Sequence, residues 1–141
     1  MKVIETELSP EVLALLEASG LPATDLRAGR PVTFLAAVAD GHLLGCVGYE
    51  LSAGVALLRS LAVQPSGRGS GVGRQLVAEV ERHASAAGAR ELFLLTTTAA
   101  PFFEQLGFEP VAREAAPGFI VGSPQFQGLC PVTAVLMARQ L

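Results

Sequence analysis

The sequence has no tryptophan, a single tyrosine and only two cysteines. None of its apolar runs approaches the length of a membrane span, so a membrane partner is not expected. Ten Lys and Arg are scattered along the chain and outnumbered by thirteen Asp and Glu, for a net charge of -3. A phosphate backbone is bound by clustered cations, so a nucleic-acid partner is not expected either. Aromatic residues make up 6% of the chain, too few for a base-stacking surface. Cys46 and Cys130 lie far apart and form no CxxC pair, which argues against a disulfide framework and a zinc site. Each sits among apolar residues, as buried reduced thiols do. The first residues, Met1 to Glu7, lack a signal-peptide core. A soluble, unexported, cytoplasmic protein with no metal is the expectation.

Apolar residues make up half of the 141 present. That is enough for one domain, residues 1–141, with a real core. A short strand is expected at residues 3–5. Ser9-Pro10-Glu11 opens a helix: Ser as N-cap, Pro in the first turn, an acid beside it. Gly20 ends it. Residues 22–27 read as a helical turn that Thr24 or Asp25 caps. Strands follow at residues 34–38, 43–51 and 55–63, an antiparallel meander with Asp40-Gly41 as its first hairpin turn. A glycine-rich loop then leads into a helix over residues 72–87, with Leu76, Val77, Val80 and Ala84 on one side. A buried strand at residues 92–96 completes a crossover, so strands 55–63 and 92–96 are expected to be parallel. A helix at residues 99–106, capped by Thr98, a strand at residues 108–113, an irregular stretch and a last strand at residues 132–137 complete the chain.

The stretch Arg68-Gly69-Ser70-Gly71-Val72-Gly73-Arg74 joins a strand to a helix. Glycines let successive amide N–H groups converge on one point and let an anion approach the backbone. The helix N-terminus adds unsatisfied donors and partial positive charge. Together they suit a diphosphate, with Arg68 or Arg74 adding a charge-assisted contact. A flexible connector is the plain alternative. A nucleoside-triphosphate P-loop is excluded, because no Gly-Lys-Ser/Thr ends the run. A meander before the loop also disagrees with the dinucleotide fingerprint.

These residues resemble the GNAT superfamily of acetyltransferases. Arg68, Gly71 and Gly73 match its Arg/Gln-x-x-Gly-x-Gly/Ala motif. The second signature, a short helix ending in Gly-Phe, is matched by residues 99–106 followed by Gly107-Phe108. A closer similarity is to the subgroup named for arsenic resistance. It is carried by Leu58-Arg59-Ser60-Leu61-Ala62-Val63, Leu94-Leu95-Thr96-Thr97-Thr98 and Leu129-Cys130-Pro131-Val132-Thr133-Ala134-Val135. The resemblance implies an α/β (α+β) fold: a mixed, mostly antiparallel sheet of six to seven strands, a central splayed parallel pair, and helices on both faces.

The resemblance further implies N-acetyl transfer from acetyl-CoA, the co-substrate, to a primary amine of a small molecule. A homodimer is compatible with it. The cofactor would be held by backbone of Leu61, Ala62 and Val63, by the loop Arg68, Gly69, Ser70, Gly71, Val72, Gly73 and Arg74, and by Thr96, Phe102 and Phe103. Backbone near Leu61 would hold the oxyanion. Many relatives carry Tyr where this chain has Phe103, and Asn where it has Thr96, so the usual general acid is missing. Glu50, a carboxylate within an apolar run, is the candidate general base; a solvent-facing Glu at a strand end is the alternative. Arg59 either pairs with an acidic substrate or forms an ordinary salt bridge. Tyr49 is read as packing, and His42 and His83 as residues without a visible partner. Phe119 and Phe126 pack in the core or wall the acceptor pocket. Rival functions are a protein or peptide N-acetyltransferase, a non-catalytic acyl-CoA sensor, and a metalloid-binding protein using the two thiols.

Overall fold

The computed structural model describes residues 1–141. Its strands are β1 (Lys2–Thr6), β2 (Thr33–Ala39), β3 (His42–Ser52), β4 (Val55–Val63), β5 (Glu91–Thr96), β6 (Glu109–Pro110) and β7 (Val135–Gln140). They form one seven-stranded sheet in the order β1-β2-β3-β4-β5-β7-β6. β1 and β2, β2 and β3, β5 and β7, and β6 and β7 pair antiparallel. β4 and β5 pair in parallel, with Val55, Ala56 and Leu57 opposite Glu91, Leu92 and Phe93. The helices are α1 (Pro10–Ala18), α2 (Thr24–Arg27), α3 (Val72–Ala86), α4 (Ala100–Gln105) and α5 (Gly118–Val121). The mixed, mostly antiparallel sheet with one central parallel pair is the expected architecture. No helix is long and apolar enough to cross a membrane.

The chain divides into two compact units. The first comprises residues 1–50 and 58–83. In it, Ser9 caps α1 by accepting from the Val12 N–H at 3.2 Å, a contact worth about 1 kcal/mol. Val12, Leu15 and Leu16 of α1 and Leu26 of α2 are buried with Phe34, Cys46 and Ala62. Asp40 and Gly41 both take positive φ, 51° and 76°, and close the β2–β3 hairpin. β3 is buried without a break from Gly45 to Glu50. Continuous burial marks a strand covered on both faces, and it places Glu50 inside, against the solvent-facing alternative.

The second unit comprises residues 51–57 and 84–141. Leu57, Phe93, Ile120 and Leu136 form its core, with Val55, Leu95, Phe119 and Phe126 packed against them. Three details differ from expectation here. β6 is two residues long rather than six. Pro110 has no N–H to donate, and only Val111, whose N–H reaches the Leu136 carbonyl at 2.8 Å, extends the pairing. β7 begins at Val135, not at 132, because Pro131 to Ala134 form a turn closed by the Ala134 N–H on the Pro131 carbonyl at 2.9 Å. Val132 is accordingly exposed. At α4 the cap is not Thr98: the N-cap position is Ala99, which has no side-chain cap bond, and the Ala99 N–H is taken by Thr96 Oγ1 at 3.0 Å.

Candidate active site

Within the first unit, β4 runs into the loop and the loop into α3. A tight helical turn, Pro65–Gly67, begins the loop, with the Gly67 N–H on the Gln64 carbonyl at 2.8 Å. Gly69 and Gly71 then adopt φ of 82° and 84°. An L-residue resists that conformation, and here glycine supplies it. The Ser70 hydroxyl donates to the Gly67 carbonyl at 2.5 Å and ties the loop across its base. The Gln75 N–H reaches the Gly71 carbonyl at 3.0 Å and closes the first turn of α3. The N–H groups of Val72, Gly73 and Arg74 precede that bond and are first-turn donors. Arg68 and Arg74 are exposed. The loop thus combines left-handed glycines, a helix N-terminus and two exposed arginines, an arrangement able to receive an anion. A diphosphate fits that donor set.

The first turn of α3 is set close to the sheet by Gly45. A Cβ on Gly45 would lie 2.9 Å from the Ala62 carbonyl oxygen and 3.1 Å from Val72 Cγ1. Only a residue without a side chain lets β3, β4 and the helix start meet this tightly.

β4 carries a conformational anomaly that its residue types do not announce. Ser60, in the middle of the strand, has φ of 58°. A non-glycine residue held left-handed costs about 1–3 kcal/mol and persists only where its surroundings impose it. Such a residue interrupts the pleat and re-aims the peptide that follows, as in a bulge. That peptide carries the Leu61 N–H, and Leu61, Ala62 and Val63 continue from it to the loop.

Beside Ser60 lies a buried cluster of charge. Arg59 binds both oxygens of Asp25: its NH2 donates to Oδ1 at 2.8 Å, and its NH1 to Oδ2. The same NH1 donates to Glu50 Oε2 at 3.2 Å, and Nε donates to Ser60 Oγ at 3.2 Å. Glu50 Oε1 in turn accepts from Arg30 Nε at 3.0 Å and NH2 at 2.7 Å. The side chains of Arg59 and Glu50 are 0% and 3% exposed, that of Arg30 30%. Burial by itself raises the Asp25 pKa; the hydrogen bond and charge of Arg59 outweigh it and hold the carboxyl below its ordinary 3.8. Burial likewise opposes the charge on Arg59, and its two carboxylates overcome that and raise its pKa. The structure therefore gives Arg59 the salt bridge rather than an open pocket, and it makes Asp25 an ion-pair partner instead of a helix cap. Neither Asp25 nor Arg30 is signalled in the sequence as a member of this cluster. Ser60 carries no signal either, since serine is not a residue that announces positive φ.

Tyr49 points the other way along β3, as strand alternation requires. Its hydroxyl lies 3.4 Å from His83 Nδ1, and His83 Nε2 lies 3.7 Å from Glu79 Oε2. His83 therefore has partners, contrary to expectation. Burial is the main cause that pushes the Tyr49 pKa up, with the nearby Glu5 charge adding to it.

Cys46 is fully buried, its Sγ 3.7 Å from the Ser60 carbonyl oxygen, and burial pushes its pKa to about 12. Thiolate is the reactive form, so Cys46 is inert at neutral pH. The Cys130 Sγ donates to Gln125 Oε1 at 3.1 Å. A Cys46→Ala, Cys130→Ala double variant is expected to fold and to retain turnover within about threefold of wild type in a thiol-release assay. Complete loss of turnover with CoA binding intact would assign a thiol to the chemistry.

Thr96, Phe102 and Phe103 belong to the second compact unit. Thr96 ends β5 and spends its hydroxyl on the Ala99 N–H. The Phe103 ring is buried edge-on against Phe102 at 5.1 Å and Phe108 at 5.6 Å. These three rings pack the Gly-Phe ending back onto α4: Phe108 folds back and its N–H bonds the Phe103 carbonyl at 3.1 Å.

The mixed sheet with its parallel β4–β5 pair, the left-handed Ser60 in β4 and the glycine loop at the start of α3 stand together in one α/β fold. The profile of the "Acetyltransferase (GNAT) domain" matches residues 30–110, more than half of the chain, and the chain belongs to that family. Among curated relatives, an amino-acid acetyltransferase of Aeromonas salmonicida is 36% identical over 80 residues, 55% of this chain and 18% of that protein. An uncharacterised N-acetyltransferase of Chlorobaculum tepidum is 34% identical over 85 residues, 60% of this chain and 54% of that protein. The matched stretch is thus a small part of the amino-acid acetyltransferase and about half of the second relative. Two solved structures share the fold over 100% of this chain. The N-acetylglutamate synthase of Neisseria gonorrhoeae, solved with coenzyme A and N-acetyl-glutamate, superposes with a TM-score of 0.78 at 22% identity and is covered over 35% of its length. Rv2747 of Mycobacterium tuberculosis, solved with CoA and NLQ, has a TM-score of 0.81 at 19% identity and is covered over 99%.

Proposed function

We propose that the chain is an N-acetyltransferase that moves the acetyl group of acetyl-CoA to the primary amine of a small molecule. The observation that carries the proposal is the continuous path from re-aimed Ser60–Leu61, along Ala62 and Val63, to the anion cradle of Gly69, Gly71 and the first turn of α3. The cradle with Arg68 and Arg74 would hold the pyrophosphate. Backbone groups of Leu61, Ala62 and Val63 would hold the pantetheine arm, a small-molecule form of strand addition. The Leu61 N–H would donate to the thioester oxygen as negative charge develops there. The amine attacks the thioester carbon: a C–N bond forms, the C–S bond breaks, CoA leaves as the thiolate, and the amine proton passes to water. Relatives such as the amino-acid acetyltransferase of Aeromonas salmonicida supply the leaning towards an amine of amino-acid type. The similarity to the arsenic-resistance subgroup adds no acceptor. Because acetyl-CoA is drawn from the cell interior, the cytoplasmic setting is part of the proposal.

Glu50 does not serve as the base in this proposal. Both its oxygens accept from guanidinium groups, so we assign it to the ion-pair cluster and proton removal to solvent. Phe103 has no hydroxyl to protonate the leaving thiolate. A thiol has a pKa of about 8.5, so thiolate leaves tolerably near neutral pH without an acid. The test is a thiol-release screen with amino acids, polyamines, aminoglycosides and short peptides. Amino acids are expected to give turnover, with a rate that rises with pH until the amine is largely neutral. Phe103→Tyr is expected to gain at most about tenfold, far below the roughly 10⁴-fold of a well-placed acid. A preference for peptides would replace the acceptor class. CoA binding with no turnover on any amine would replace the enzyme by an acyl-CoA sensor.

A further inference from the structure

We infer that Arg59 is a positioning residue: clamped by Asp25 and Glu50, it holds Ser60 left-handed and so aims the Leu61 N–H. The inference rests on the acetyl-transfer reading above, in which that N–H meets the thioester oxygen. Three observations carry it.

The first is the conformation itself. Ser60 has φ of 58° inside a strand, and serine has no intrinsic preference for that region. Something outside the residue must impose it. The second is the reach of Arg59. Its Nε lies 3.2 Å from Ser60 Oγ, so the guanidinium grips the side chain of the residue that is bent. The third is the anchorage of that guanidinium. It is bound by Asp25 from α2 and by Glu50 from β3, and Glu50 is bound again by Arg30. Two carboxylates on separate elements fix the fork in position and in plane, which a single surface salt bridge would not do. On the other side of the same residue, Cys46 Sγ approaches the Ser60 carbonyl oxygen at 3.7 Å. With no exposed side-chain surface, Arg59 has none to offer to an acceptor; the cluster serves the backbone instead.

The test uses a conservative change and a rescue. Arg59→Lys keeps the charge and an ion pair but has no Nε to place on Ser60. It is expected to lower kcat about tenfold while both KM values stay within about threefold. Adding Ser60→Gly to Arg59→Lys is expected to recover most of that loss, because glycine adopts positive φ without a clamp. If Arg59→Lys fails to fold, Asp25→Asn unloads the same guanidinium and takes its place. A raised acceptor KM with unchanged kcat, or a kcat loss that Ser60→Gly does not relieve, overturns the inference. A readout free of turnover separates it from the function it rests on. The Leu61 amide resonance is expected to shift on Arg59→Lys in the otherwise wild-type chain, and much less in a chain that already carries Ser60→Gly. Equal shifts overturn the clamp even if an acceptor is found. The expected pattern with no amine turned over leaves the clamp standing and removes the transferase reading.

Discussion

A Gly71→Val variant should bind CoA about 100-fold more weakly than wild type while remaining folded. Gly71 has φ of 84°, and a Cβ placed there would meet nothing within 4 Å. The penalty is therefore conformational and not a clash. A left-handed L-residue costs about 1–2 kcal/mol, and a β-branched one is a true outlier there. The chain escapes that cost by rotating the Gly71 peptide, which takes the N–H groups at the start of α3 off their common target. A hydrogen bond to a charged group is worth about 1.5–3 kcal/mol, so losing one such contact together with part of the strain gives roughly 3 kcal/mol, or about 100-fold in Kd. Gly67→Ala is the matched control. Gly67 is not left-handed, and its nearest neighbour to an added Cβ, Val63 Cγ1, lies 3.4 Å away, an ordinary contact. Its CoA affinity should stay within about threefold. Calorimetric titration of both variants decides the matter: equal affinities in folded proteins would remove the cradle from the CoA site.

What the sequence discloses here is local, and what it conceals is tertiary. Asp40-Gly41 and the glycines at 69 and 71 are legible because positive φ is a demand on a single residue, and glycine is the usual answer. The capped start of α1 is legible for the same reason. Ser60 makes that demand without showing it: its conformation is imposed by Arg59, whose own partner Asp25 is 34 residues away. Asp25 is a good capping residue by type, so a local reading spends it on α2, while the fold spends it on Arg59. Glu50 reads as a strand-end carboxylate until β3 is covered on both faces. The short β6 and the late start of β7 have the opposite origin. The stretches 108–113 and 132–137 read as two strands, but Pro110 and the turn from Pro131 to Ala134 decide where the ladder can run.

Glu50→Ala should destabilise the protein by about 3–5 kcal/mol, the range for removing one member of a buried ion pair. The change strips Arg59 of one carboxylate and Arg30 of its Glu50 partner, and it leaves Arg59, with 0% of its side chain exposed, to bear a charge that only Asp25 offsets. At about 3 °C per kcal/mol for a chain of this size, Tm falls by about 9–15 °C. Arg30→Ala should cost much less, because Arg30 is 30% exposed and water screens what it loses. Glu50→Gln should fall between the two alanine variants, since the amide oxygen still accepts one hydrogen bond while the charge is gone. Acid supplies an independent check on the same cluster. The folded pKa of Asp25 is depressed, so its contribution is complete above the ordinary value of 3.8 and is lost as pH falls through the lower folded value. Asp25→Asn should therefore flatten the acid limb of the stability curve below about pH 4. Thermal melts between pH 2 and 7 on the four proteins and wild type measure all of this. A Glu50→Gln variant as stable as wild type, with turnover abolished and CoA affinity unchanged, would overturn the structural assignment and return Glu50 to the role of base. In a cluster whose purpose is to hold β4 bent, stability and kcat must fall together, because the ion pairs that keep Arg59 in place are the ones that keep Ser60 left-handed.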